Sequence, residues 1–223
     1  MHPRWNLAII SGILILTFAL SVAAYPYLPD RIVTHWGLYG EPNGSMPKAW
    51  GLFFVPLISA GLAILLLAIP RIDPLRENIR KFRSDYEHFI AVLLLFLLYL
   101  QILVILWNTG ARFNFSQVLS PAFGVLFYTI GILTGRARRN WFIGIRTPWT
   151  LSSERVWDRT HALGGKLFRI AGILCLAGAA FPALAFFFIL GPVLVISVWL
   201  VVYSYREYRK EEEAGTGPAG PGA

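Results

Sequence analysis

Residues 170–205 read IAGILCLAGAAFPALAFFFILGPVLVISVWLVVYSY, 36 residues without one charged side chain. As a single helix the stretch would be about 54 Å long at 1.5 Å per residue, whereas roughly 20 residues suffice to cross about 30 Å of hydrocarbon. It therefore predicts two helices joined by a tight turn. The turn falls either at Pro182 or at the Gly191-Pro192 pair, because proline removes a backbone donor and glycine accepts positive φ. Four more uncharged apolar blocks, 7–25, 51–69, 89–107 and 118–134, are each one span in length. The fold class this predicts is all-α, a polytopic integral membrane protein with about six transmembrane helices.

Composition agrees with that reading. The chain is 56% hydrophobic and 14% charged, against about 25% charged in soluble domains. None of its 12 acidic or 20 basic residues falls inside an apolar block. The basic start, the apolar run and the small Val22 and Ala24 also fit a signal peptide cut after Ala24, but the run exceeds the usual h-region of about 7–15 residues. The first block is read as a retained span.

Six spans divide the remaining segments into two sets. Segments 1–6, 70–88, 135–169 and 206–223 hold 17 of the 20 basic residues, and segments 26–50 and 108–117 hold Arg31, Lys48 and Arg112. Short cytoplasmic loops carry the excess of Lys and Arg, so both termini are expected in the cytoplasm and the protein in a cell membrane. The net charge of +8 is then a consequence of topology, and direct nucleic-acid binding is not needed to explain it. Four stretches follow: 1–70, two spans with a structured outer loop; 71–134, an amphipathic inner segment with spans three and four; 135–210, an inner loop and a helical hairpin; and 211–223, a disordered tail rich in Glu, Gly, Pro and Ala.

Turn formers interrupt the outer segment in three places, at Pro29-Asp30, at Gly40-Glu41-Pro42 and at Asn43-Gly44, predicting a folded-back loop. Beyond span two, Asp73-Pro74 has the form of a helix start. Leu75, Ile79, Phe82, Tyr86 and Phe89 then form one apolar stripe that predicts a nearly continuous helix from 73 to 107. With Arg76, Arg80, Lys81 and Arg83 on its other faces, the stripe is expected either to lie on anionic membrane lipid or to dock a protein, with lipid favoured. The spans lack the Asp, Glu, Lys, Arg and His side chains of pumps and carriers, and Gln101 is the most polar group deep within one. Gly131 and Gly135 are spaced for close helix packing. Cys175 is the only cysteine, and no Cys/His metal spacing occurs.

The inner loop carries the sharpest motif. Asn140 to Leu151 read NWFIGIRTPWTL, followed by Val156, Trp157, Thr160, His161, Gly164 and Gly165. This run resembles the signature of the SdpI family of prokaryotic membrane proteins, with Trp141 where tyrosine is usual and Gly135-Arg136 in place of a Gly-Asn step. The outer loop, with Leu28, Pro29, Asp30, His35, Gly40, Pro42, Gly44 and Lys48, resembles the poorly characterised domain that often precedes the signature. The resemblance implies immunity against a membrane-active peptide toxin, in some members coupled to holding a cytoplasmic repressor at the membrane. It implies no cofactor.

The residues themselves allow more than one chemistry. Arg146, beside Thr147, Pro148 and Trp149, suits a lipid phosphate, a carbonyl cluster or a partner carboxylate, or simply snorkels to headgroups. Trp149 and Trp157 fit an aromatic belt or stacking within the loop. Gly144, Thr150, Thr160 and His161 complete the candidate site; His161 and His35 fall on opposite sides of the membrane and cannot share a metal. The loop is expected to be an ordered cap, with Thr147, Thr150, Ser152 and Asn140 satisfying its backbone, Ser152 or Ser153 capping a helix, and Arg146 and Trp149 facing one polar pocket. The leading function is a non-enzymatic immunity or signal-relaying membrane protein. The alternative is a membrane enzyme or lipid-handling protein using Arg146 and His161 at the inner headgroup level.

Overall fold

A computed structural model describes residues 3–215. Helix α1 (Pro3–Ala24) leads into a short turn and a β-hairpin of β1 (Arg31–Trp36) and β2 (Pro42–Pro47), after which α2 (Lys48–Ile72) recrosses. Next come α3 (Arg76–Arg80), α4 (Arg83–Asn108) and α5 (Phe115–Arg136). An irregular segment then holds the short α6 (Pro148–Ser152), and α7 (Glu154–Ala180) and α8 (Ala185–Glu213) form the final pair. Among the described residues six helices are long and apolar enough to cross a membrane, as the apolar blocks predict.

Two groups of three helices make up the bundle. Helices α1, α2 and α4 share a core of Ile10, Ile13, Ala63, Ile90, Leu94 and Leu98. In the other group α5 and α7 run so close that glycines replace side chains along the seam. A β-carbon at Gly131 would lie 2.8 Å from the carbonyl oxygen of Gly165, and one at Gly172 would lie 2.6 Å from that of Gly124. The Gly131–Gly135 pair is thus one part of a longer seam, in which backbones approach as small residues allow.

Prolines inside the spans explain three of the deep side chains that can donate a hydrogen bond. A proline at position i releases the carbonyl at i−4 from its helical bond, and lipid offers no replacement donor. Pro56 and Pro70 lie within α2, Pro121 within the first turns of α5 and Pro192 within α8. In α2 and α8 each released carbonyl meets a side chain from a neighbouring helix. Gln101 Nε2 donates to Leu52 O at 2.9 Å, Tyr86 Oη to Leu66 O at 2.8 Å, and Cys175 Sγ to Phe188 O at 3.4 Å. Gln101 also donates to Ser21 Oγ at 2.9 Å, tying α1 to the same point.

Several expectations need correction. The turn between α7 and α8 is at Pro182, and Gly191-Pro192 continues inside α8, where Cys175 takes up the freed carbonyl. The helix expected from 73 to 107 is broken at Lys81-Phe82, with Phe82 at φ −126° and ψ 23°. The break lets Ile79, Phe82 and Tyr86 all turn into the bundle, where each is buried, so the apolar stripe packs on the protein's own helices and not on lipid. Asp73 starts no helix but ends α2, its N–H donating to Ile69 O at 3.0 Å; its side chain accepts from Leu75 N at 2.6 Å and from Trp141 N at 2.9 Å. The tail does not become irregular at Glu211, because α8 continues to Glu213 with Glu211 buried. The rest of the expected tail, 216–223, lies outside the described residues.

The folded-back outer segment contains paired strands. Ile32, Val33 and Thr34 are β-branched and suit a pleated surface, and β1 pairs antiparallel with β2, Ile32 opposite Met46 and His35 opposite Gly44. Ile32 is fully buried, packed with Leu28 and Leu52.

Candidate functional site

The chain between α5 and α7 folds as a compact cap at the end of the bundle shared with α3. Asn140 organises its first half. Fully buried, Asn140 accepts through Oδ1 from Phe142 N (2.9 Å) and Ile143 N (2.6 Å), and donates through Nδ2 to Arg138 O (2.8 Å) and Ile143 O (2.9 Å). One amide thereby satisfies four backbone groups that neither helix nor strand would pair. Asp73 receives Trp141 N, and Asn78 Nδ2 donates to Arg139 O at 2.8 Å, so the segment after α2 holds the loop from the side.

Gly144 then turns the chain at φ +113°. A side chain here would be strained by the backbone and would run into the His161 ring. The imidazole bridges the cap and α7: its Nε2 accepts from Ile145 N at 3.0 Å and its Nδ1 donates to Trp157 O at 2.8 Å. Both contacts together require the neutral ring with its proton on Nδ1. Trp157 stacks on it with ring centroids 3.8 Å apart and donates through Nε1 to Ala137 O at 2.9 Å. Trp157 is fully buried, which removes the aromatic-belt reading for this residue.

The second half is a capped single turn. Thr147 and Thr150 form a reciprocal capping box on α6, with Pro148 at its first position. Thr150 Oγ1 also donates to Ile145 O at 2.8 Å, and Thr147 Oγ1 lies 3.1 Å from Ser204 Oγ of α8. Ser153 caps α7 by accepting from Val156 N at 3.2 Å and donates to Glu211 Oε2 at 2.6 Å. Glu207, one turn before Glu211, is buried between Arg159 at 2.5 Å and Lys210 at 2.7 Å. The Thr160 hydroxyl is buried beneath with no hydrogen-bond partner.

Arg146 and Trp149 do not face one polar pocket. Arg146 is exposed and donates to Trp141 O at 2.8 Å, whereas Trp149 packs on Tyr205 with centroids 5.1 Å apart. Pro148 explains the divergence, since it starts a helical turn that carries Trp149 toward α8 while Arg146 stays on the extended side. With Asn140, Thr147, Thr150, Ser153 and His161 engaged by backbone, the exposed surface of the cap includes Trp141, Phe142 and Arg146. Their chemistry, two exposed rings and a guanidinium, suits recognition of a partner.

The outer-loop residues gather at the opposite end of the bundle. Pro29 and Asp30 are exposed, with Asp30 3.9 Å from Lys48 Nζ. His35 pairs with Asn43 across the hairpin, Gly44 lies against His35, and Gly40 turns at φ +82° beside Asn114. The hairpin is held down by Asn108, which bonds Val33 N (2.7 Å) and Val33 O (2.9 Å), and by Trp36 stacked on Phe115 at 3.7 Å. Asn78, Asn108, Ser204, Glu207 and Glu211 are residues that sequence reasoning missed, and Asp73 was read only as a helix start. Asp73 and Asn108 had a visible signal, a lone polar residue at the end of an apolar block, but nothing in their spacing named a partner.

Among the described residues no group of three His, Cys, Asp or Glu side chains is placed to hold a metal ion. No solved structure matches the chain. Immunity protein SdpI of Bacillus subtilis is 25% identical over 205 residues, covering 91% of this chain and 96% of the relative. Residues 12–60, which contain the hairpin, match the domain of unknown function DUF1648. Residues 136–204, which contain the whole cap with α7 and most of α8, match the model of the SdpI/YfhL protein family.

Proposed function

We propose that this chain is a non-enzymatic immunity protein of a prokaryotic cell membrane, protecting against a membrane-active peptide toxin. The observation that carries the reading is likeness to an immunity protein along nearly its whole length. The cap supports it chemically: its buried polar groups hold its own backbone, and Trp141, Phe142 and Arg146 are left facing outward for a partner. A cytoplasmic regulator of transcription fits that face as a second partner. The stretches 1–70, 71–134 and 135–213 then correspond to a toxin-facing loop with two spans, a linking pair, and the recognition cap with its helical hairpin.

The orientation follows from 17 of 20 basic residues on one side, which puts the cap and both termini in the cytoplasm. A membrane-impermeant thiol reagent on intact cells should label a cysteine introduced at position 43 and spare those at 81, 153 and 215. Labelling at 215 would overturn the six-span orientation.

In toxin-challenged cells Arg146→Ala should lose protection while inserting and accumulating normally. Arg146→Lys should fail as well, because an ammonium cannot reproduce the planar fork. Full protection by Arg146→Ala at equal abundance would make the residue a headgroup anchor only. Consumption of lipid by the purified protein, dependent on Arg146, would instead establish the membrane-enzyme reading.

A further inference from the structure

A cavity of about 350 Å³ opens between α1, α2 and the α3–α4 corner, at the same end of the bundle as the cap. Its inner wall is apolar, formed by Ile10, Leu66 and Ile90, and Arg71, Arg80 and Arg83 stand among the residues that line it. Along α4 the lining runs from Arg83 to Ile90, a rise of about 10 Å at 1.5 Å per residue. Tyr86 closes the back by donating to Leu66 O.

We propose that this cavity is a binding site for one anionic phospholipid, its phosphate held by Arg71, Arg80 and Arg83 and one acyl chain lying against Ile10, Leu66 and Ile90. Three guanidiniums and one carboxylate, Glu87, line the cavity, so the charge favours an anion over a zwitterion. The arginines are available to it. Arg80 pairs with Glu77 at 2.8 Å, both side chains 67% exposed, and an exposed pair of this kind contributes little. Arg83 pairs at 2.6 Å with Glu87, whose side chain is 14% exposed, but is itself 54% exposed and reaches the rim, where a phosphate offers bidentate, charge-assisted bonds. Position fits as well: α2 ends at Ile72 and α4 begins at Arg83, so all three cations stand where the apolar spans end and headgroups lie. A free anion would use the rim and leave the apolar wall without a ligand. The break at Lys81-Phe82 builds the site, since it sets Arg80 and Arg83 on either side of a corner while Ile79 and Phe82 turn inward. This assignment does not depend on the immunity reading or on which side of the membrane the cavity faces.

Native mass spectrometry of the full chain, released from nanodiscs of equal phosphatidylglycerol and phosphatidylcholine with identical chains, reads the preference directly. Wild type should retain one phosphatidylglycerol. Arg71→Gln, Arg80→Gln and Arg83→Gln should each weaken retention about fivefold, and Glu87→Gln should strengthen it. Arg155→Gln/Lys166→Gln/Arg209→Gln, which removes three cations elsewhere where each test variant removes one, should leave it unaltered. Equal retention of both lipids, or the same loss in the control triple variant, would overturn the proposal. So would stabilisation by inorganic phosphate equal to that by the lipid, which would assign the rim to a free anion. The single substitutions guard against misfolding, because a thermal midpoint equal to wild type in lipid-free detergent is required of each.

Discussion

The two ends of the bundle solve one problem by different means. Each must order a loop of more than fifteen residues whose backbone cannot be left unpaired near hydrocarbon. At the hairpin end, β1 and β2 pair with each other, and distant groups hold the hairpin to the bundle: Asn108 on Val33, Asn114 Nδ2 on Tyr39 O, and Trp36 on Phe115. At the cap end there is no sheet, and polar side chains within about twenty residues of one another do most of the backbone pairing, Asn140 alone serving four groups, with Asp73 and Asn78 adding two bonds from outside the loop. A locally satisfied loop needs a fixed run of residues. A hairpin needs only alternation and a platform, so its sequence is looser.

The largest expected effect tests how far each loop tolerates a side chain in place of glycine. Gly144→Ala should destabilise the protein by about 3 kcal/mol or more, from positive φ and the collision with His161 together. Gly44→Ala should cost about 1 kcal/mol, since its β-carbon meets only His35 Cβ at 3.0 Å. Thermal midpoints of both variants in detergent decide; equal losses would mean that the two ends are equally rigid.

Next in size are the two asparagines. Asn140→Ala removes the partners of four buried backbone groups and should cost about 3–4 kcal/mol, whereas Asn108→Ala removes those of Val33 and should cost about 2 kcal/mol. Hydrogen exchange should localise the first loss to residues 138–145 and the second to the hairpin. Exchange spreading from Asn108→Ala into the cap would show that the ends are coupled and break the contrast.

The smallest effect belongs to the span between them. Gln101→Leu should cost about 1 kcal/mol, in the range of intramembrane hydrogen bonds. Added to Pro56→Ala it should cost measurably less, because the restored N–H of residue 56 then serves Leu52 O. Additivity in that double-mutant cycle would show that Gln101 acts through Ser21 alone.

Legibility in the sequence followed the same divide. The six spans were readable because uncharged runs of span length have few other uses, and the cap was readable because its partners are close in sequence: Thr147 with Thr150, Ser153 with Val156. The strands were hidden by the abundance of Gly and Pro in 37–47, which reads as turns alone. Asp73 looked like a helix cap because Asp-Pro is a good local start, yet the competing acceptor role for Trp141 N lies 68 residues away. Arg146 and Trp149, three residues apart, looked like neighbours until the turn at Pro148 separated them. The stripe through Ile79, Phe82 and Tyr86 had the right period, but periodicity does not say whether lipid or protein covers a face.

The proline-released carbonyls have a consequence for the order in which the chain is made. In α8 the freed Phe188 O meets Cys175 of α7, a helix synthesised earlier, so the donor is waiting when the acceptor arrives. Helix α2 has the reverse situation: Leu52 O and Leu66 O both depend on α4, through Gln101 and Tyr86. During biogenesis α2 therefore leaves the translocon with two open acceptors, each costing several kcal/mol in lipid, and stays an unfinished element until α4 emerges. A nascent chain stalled after residue 72 should crosslink to the translocon or its insertase partners, and one stalled after α4 has cleared should have let go.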